Sequence, residues 1–301
     1  MHSTTETAEL SPLKVWLMAI RVPTLPAAVV PVLVGTATAL ADRKINIGAF
    51  FAAFFASLLI QIGTNLANDY FDHQKGADTP DRLGPTRVTQ SGLVPPGTVR
   101  AAMLASFGLA ALCGAYLIWV GGWPILLIGL LSIASGILYT GGPYPLGYNG
   151  LGDVFTFIFF GIVAVVGTDY LHTLEFRLVA FLAALPVAML VTAILVVNNL
   201  RDAPTDKRVG KRTLAVIYGE LFARSEFAIL VLMAYLTAAL PWMWGGASPF
   251  VLLTWISAPI GLNLLDRVGK QRGKTLNLAL RDTGRLHLIF GSLLTLGLLL
   301  G

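Results

Sequence analysis

Charge is scarce in this sequence: Lys, Arg, Asp and Glu together make up 12% of 301 residues, and only sixteen are acids. A soluble domain carries about a quarter charged residues, so that class is excluded. There is a single cysteine, Cys113, which rules out an intrachain disulfide, and its place inside an apolar run marks a packing residue. Four histidines and one cysteine form no cluster with zinc-ligand spacing. The opening MHSTTETAELSPLK lacks the basic start and short apolar core of a secretory signal, so no cleavage is expected. No stretch between the apolar runs is long enough for a separate soluble domain, so residues 1–301 are expected to form one domain.

What the sequence has in abundance is apolar surface. Hydrophobic residues make up 55% of the chain, and the mean hydropathy is +0.74. A spanning helix needs about 20 mostly apolar residues. Nine such runs are present, at about 15–40, 47–67, 101–120, 123–140, 153–168, 178–198, 226–244, 248–265 and 286–300. The expected fold is all-α, a polytopic membrane bundle of nine transmembrane helices. With a cytoplasmic N-terminus, only Arg43, Lys44 and Arg177 of the 21 basic residues fall outside, leaving eighteen inside. That asymmetry is what the positive-inside rule expects. It also accounts for the net charge of +5 without a nucleic-acid partner.

The scarce acids are not scattered. Asp69, Asp72, Asp78 and Asp81 lie within NLANDYFDHQKGADTPDRLGPTR, where the second apolar run gives way to a polar loop. A second island, NNLRDAPTDKRVGKRT, follows the sixth run and supplies Asp202 and Asp206. At helical periodicity Asn65, Asn68, Asp69 and Asp72 share roughly 100° of arc, as do Asn198, Asn199, Asp202 and Asp206. Pro204 sets a possible kink between the last two acids, because an interior proline removes a hydrogen bond. The matched order of the islands hints at a weak internal repeat. A third loop, YTGGPYPLGYNGLGD, holds no Lys or Arg but carries Tyr139, Tyr144, Tyr148 and Asp153. Pro23, Pro26 and Pro31 predict an irregular first span, with Arg21 near its cytoplasmic end. The basic stretch 266–285 is read as a cytoplasmic segment whose amphipathic part lies on the membrane surface.

A carboxylate at the end of a membrane span is costly, so two carboxylate faces at one depth imply a cation between them. Oxygen ligands without His or Cys suit Mg²⁺, which binds through one or two carboxylates plus substrate phosphates. Lys75, Arg82, Arg87, Lys207, Arg208, Lys211 and Arg212 beside the acids would repel the bare ion but suit a diphosphate bridged to it. Together these features predict a metal-diphosphate site.

NDYFD followed by KGADTPDR, and NNLRDAPTD followed by GKRTL, resemble the two Asp-rich motifs of the UbiA superfamily of membrane prenyltransferases. Within it the chain is most similar to the enzymes that prenylate 1,4-dihydroxy-2-naphthoate in menaquinone biosynthesis, through NDYxD with KGxDxPDRxGPxR, NNxRDxxxD and the stretch Tyr148 to Asp153. The spacing departs from the widespread NDxxDxxxD because Gly76 stands four after Asp72, leaving Asp78 or Asp81 to complete the first site. The basic pocket of 4-hydroxybenzoate enzymes is replaced by GGPYPLGY.

The resemblance implies that Asp69, Asp72, Asp202 and Asp206, helped by Asn68 and Asn198, hold Mg²⁺ on a polyprenyl diphosphate. It implies that Lys75, Arg82, Lys207 and Lys211 stabilise the departing diphosphate and that Tyr70, Phe71 or Tyr139 shields an allylic cation. Arg21 or Asp153 would orient the acceptor. The implied product is demethylmenaquinol, formed with loss of CO₂ on the cytoplasmic side of the cell (inner) membrane. The alternatives are a related enzyme with 4-hydroxybenzoate or homogentisate as acceptor, or a membrane transporter. Transport sites favour the bilayer midplane, whereas these acids stand at span ends.

Overall fold

The computed structural model describes residues 10–77 and 82–300, and every regular element among them is helical. The first apolar run breaks as its prolines predict. Helix α1 (Pro12–Ile20) ends at Arg21 in a left-handed conformation (φ 54°), a 3₁₀ turn covers Val22–Thr24, and α2 (Pro26–Ala41) leaves at 50° to the first part. Asn65 fixes the break by donating to the Ile20 carbonyl and the Thr24 hydroxyl, both at 2.9 Å. Pro31 is accommodated inside α2.

Helix α3 (Ile47–Gln74) runs on without interruption for 28 residues, about 42 Å at 1.5 Å per residue. A hydrocarbon core is about 30 Å thick, so the turns from Asn68 onward extend past it. The connection to α4 (Pro96–Gly121) ends earlier than the sequence suggested, because Pro96 opens the helix where its missing N–H costs nothing. Asp78 and Asp81 lie outside the described residues. Gly122 (φ 69°) turns the chain into the short α5 (Trp123–Leu138). The next span comprises α6 (Gly152–Thr156), a π-helical segment over Phe157–Val163 and α7 (Ala164–Thr173). A Cβ at Gly161 would stand 2.1 Å from the Ala188 Cβ, so glycine lets the π-helical segment lie against its neighbour.

That neighbour is α8 (Leu178–Arg208), the central helix: two-thirds of its apolar window is buried, against about one-third in the other long spans. It packs against α10 (Glu220–Thr237), α13 (Leu276–Leu299), α2 and the π-helical segment. Pro204 does not end it. The helix continues to Arg208, and Asn199, Asp202 and Asp206 are all buried on it. Asp202 and Asp206 are therefore carried on one continuous helix, since packing outweighs the local proline penalty. Short α9 (Leu214–Tyr218), α11 (Leu240–Gly245) and α12 (Ala258–Lys270) complete the bundle.

Among the described residues, six helices or joined helices are long and apolar enough to cross a membrane, and seven if the bent first pair counts as one. Trp123–Leu138 has only 16 residues. The last helix carries Arg281, Asp282 and Arg285 in its first half.

Candidate active site

Helices α3 and α8 both emerge from their apolar lengths after about 20 residues, and there each delivers its acids. Asp69 is 2% exposed. Its two oxygens accept the backbone N–H groups of Val88 (3.1 Å) and Thr89 (3.2 Å), so it ties down the loop that returns over the helix end. One turn on, Asp72 accepts from the Arg87 guanidinium at 2.9 Å and from the Tyr148 hydroxyl at 2.8 Å. Asn68 accepts from the Thr140 hydroxyl at 2.9 Å.

On α8, Arg201 forms a two-pronged pair with Asp202 at 2.8 and 2.6 Å. The same guanidinium donates to Asn198 and Asn277, each at 2.8 Å. Asn277 in turn donates to the Leu83 carbonyl at 2.9 Å. A Cβ at Gly84 would come within 2.6 Å of the Arg201 Nη2, so the loop after α3 rests directly on α8. Asp206 lies 3.6 Å from the Lys211 ammonium, and its second oxygen is buried with no hydrogen-bond partner.

Tyr148 joins the two islands. Its hydroxyl serves Asp72, while its ring carries the Lys75 ammonium 4.6 Å from the centroid and the Lys211 ammonium 5.6 Å from it. Its carbonyl accepts the Arg212 N–H at 3.0 Å. Lys75 also donates to the Thr140 carbonyl. Burial holds its ammonium below the usual lysine range, and nearby Asp72 opposes that shift. Tyr139 lies within electrostatic reach of Asp153, Asp206 and Asp72, and Asp206 within reach of Asp202 and Asp72. The acids of both helices thus face one polar space, lined by the loop containing Tyr139 and Tyr148.

The structure does not draw every expected residue into that space. Lys207 is exposed and joins none of these pairs. Arg82 donates to the Pro85 carbonyl at 3.2 Å and is close enough to Asp202 and Asp206 to influence them. Tyr70 turns to Gln74 (2.6 Å) and stacks edge-on with Phe71. Arg21 sits at the break of the first span, beside the turn tied by Asn65. Asp153 is buried at the start of α6 with one oxygen unpartnered, near Glu226 of α10. Sequence reasoning passed over Glu226, Arg201 and Asn277. It placed Arg87 among the basic residues suited to a diphosphate and Tyr148 within the third loop, but assigned neither to Asp72, which both contact.

Among the described residues no three His, Cys, Asp or Glu side chains are close enough to form a ready-made metal cage. The donors nonetheless suit Mg²⁺. Asp206, with one oxygen lacking a hydrogen-bond partner, lies within electrostatic reach of Asp202 and Asp72, and each oxygen of Asp72 that accepts one hydrogen bond keeps a lone pair. A few carboxylates completed by substrate phosphates are the usual Mg²⁺ arrangement.

Relatives named 1,4-dihydroxy-2-naphthoate octaprenyltransferase are similar along most of their length. The one from Bacillus subtilis is 35% identical over 278 residues, covering 92% of this chain and 89% of its own. That from Mycobacterium tuberculosis is 37% identical, covering 91% and 93%. Among solved structures, a UbiA homolog from Archaeoglobus fulgidus bound to DMAPP and Mg²⁺ superposes with a TM-score of 0.66 at 13% identity, over 94% of this chain and 98% of its own. An apo UbiA homolog from Aeropyrum pernix K1 gives 0.71 at 15% identity, over 90% and 98%. The model of the UbiA prenyltransferase family matches residues 28–281, and the chain belongs to that family.

Proposed function

We propose that this protein transfers a polyprenyl group from polyprenyl diphosphate to 1,4-dihydroxy-2-naphthoate, releasing diphosphate and CO₂ and giving demethylmenaquinol. The observation that carries this reading is the closure of two Asp islands on one polar space, in a chain 35–39% identical over most of its length to enzymes of that name. The proposed unit is one domain over 1–301. It has nine spans, with Trp123–Leu138 and Leu276–Leu299 added to the seven, a cytoplasmic N-terminus, and its site on the cytoplasmic face of the cell membrane.

In this reading Asp69, Asp72, Asp202 and Asp206, with Asn68 and Asn198, hold Mg²⁺. Mg²⁺ supplies Lewis-acid neutralisation of the leaving diphosphate. Lys75 and Lys211, both against the Tyr148 ring, place two ammonium groups for the diphosphate oxygens, and Arg82 from the loop and Lys207 from the end of α8 complete the set. The bond between the allylic carbon and the diphosphate oxygen breaks. Tyr139, and Tyr70 from the helix end, offer ring faces to the resulting cation, and the loop resting on Arg201 excludes water. The naphthalenediol carbon bearing the carboxylate then bonds to the allylic carbon, and that carboxylate leaves as CO₂. Asp153 and Arg21 orient the acceptor.

The test is mass spectrometry of products formed by washed membranes with Mg²⁺, geranylgeranyl diphosphate and one of three acceptors: 1,4-dihydroxy-2-naphthoate, 4-hydroxybenzoate or homogentisate. A decarboxylated, prenylated naphthoquinone from the first acceptor alone is expected. Prenylation of another acceptor in its place would overturn the assignment.

A further inference from the structure

Away from the acidic islands, α12 and α13 part to leave a groove of about 460 Å³. Arg267, Asp282 and Arg285 form its charged mouth, and Pro259, Ile260 and Ile289 its open apolar wall. Asp282 accepts from Arg267 at 2.8 Å, from Arg285 at 3.2 Å and from Arg281 at 3.3 Å. One carboxylate among three guanidinium groups leaves the mouth with a net positive charge. The pairing also holds Arg267 in place while Arg285 stays 63% exposed.

The groove has a direction. Pro259 lies eight residues before Arg267 and Ile289 seven after Asp282, so the apolar wall runs about 10–12 Å from the charged mouth. Ile260 and Ile289 are 37% and 40% exposed there, and among the described residues no side chain covers them fully. A charged rim above an open apolar channel of that depth matches a phosphate diester attached to an acyl chain. A soluble anion would leave the channel bare, and a neutral lipid would leave the arginines unused.

We propose that this groove is a binding site for an anionic phospholipid, its phosphate between Arg267 and Arg285 and one acyl chain along Ile260 and Ile289. The inference needs the bundle to lie in a membrane but does not depend on the prenyl-transfer reading.

The test is native mass spectrometry of the full-length protein released from nanodiscs containing equal phosphatidylglycerol and phosphatidylcholine. The native protein is expected to retain phosphatidylglycerol preferentially. The Arg267→Gln, Arg285→Gln double variant should lose that preference by at least about fivefold, since each basic residue near an anionic lipid surface contributes measurably. A Lys270→Gln, Lys274→Gln variant, which removes equal charge from the same surface outside the groove, should stay within about twofold of native. Ile260→Trp, which fills the channel and spares the charges, should also reduce retention. Melting temperature confirms folding of each variant. Absence of preference in the native protein, equal loss in both charge pairs, or displacement of the lipid by millimolar inorganic phosphate would each overturn the proposal.

Discussion

Arg201 is the group whose removal tests the architecture of the acidic end most sharply. Its side chain is fully buried, and Asp202 is 6% exposed. Four hydrogen bonds of 2.6–2.8 Å engage it with Asp202, Asn198 and Asn277. Arg201→Gln preserves much of the stem but strips the counter-charge from a buried carboxylate. Breaking a buried pair from one side costs about 3–5 kcal/mol. Replacing both partners avoids the stranded charge, so Arg201→Gln with Asp202→Asn should cost less than the two single changes added together. Chemical unfolding of the detergent-solubilised protein, followed for native, both singles and the double, yields the coupling energy directly. A single-variant cost under about 1 kcal/mol, or additivity within about 0.5 kcal/mol, would refute the claim that these groups stabilise one another.

Two further perturbations separate site from scaffold. Tyr148→Phe keeps the ring against Lys75 and Lys211 and removes the hydroxyl bonded to Asp72 at 2.8 Å, so KM for the prenyl diphosphate should move less than about threefold. Tyr148→Leu removes both ring contacts, each worth about 0.5–1 kcal/mol, and steady-state kinetics should show KM raised about 5–30-fold. At the other end of the bundle, Asp169 is completely buried, bonded to Thr38 at 2.7 Å and paired with Arg177. Asp169→Asn should cost about 3–5 kcal/mol of unfolding free energy and leave the Mg²⁺ dependence of turnover unchanged.

The broken first span and the two acid-bearing helix ends were legible because they rest on local facts: three prolines in nine residues, and apolar runs followed by Asn and Asp at helical spacing. The partners of those acids were not. A loop arginine such as Arg87 looks the same in sequence whether it serves topology or neutralises Asp72, since the pairing joins residues brought together only by the chain's return. Arg201 was hidden for another reason: positive-inside topology already accounts for a basic residue in the second island, and its tie to Asn277 spans 76 residues. Tyr148 stood in the third loop with no partner assigned, because Asp72, Lys75 and Lys211 reach it from separate segments. Pro204 does not end α8, because the burial of that helix on several sides outweighs one lost backbone bond.

The central claim is that the acids of α3 and α8 serve one Mg²⁺-diphosphate. It is tested most directly by an Mg²⁺ titration of prenyl transfer in the native protein and in Asp206→Asn, the carboxylate whose second oxygen lacks a partner. No transfer should occur after chelation of divalent ions. The variant should need at least about tenfold more Mg²⁺ for half-maximal rate, the lower end of what even outer-shell changes cost a metal site. Transfer that survives chelation, or a variant whose Mg²⁺ dependence coincides with the native curve, would contradict the account.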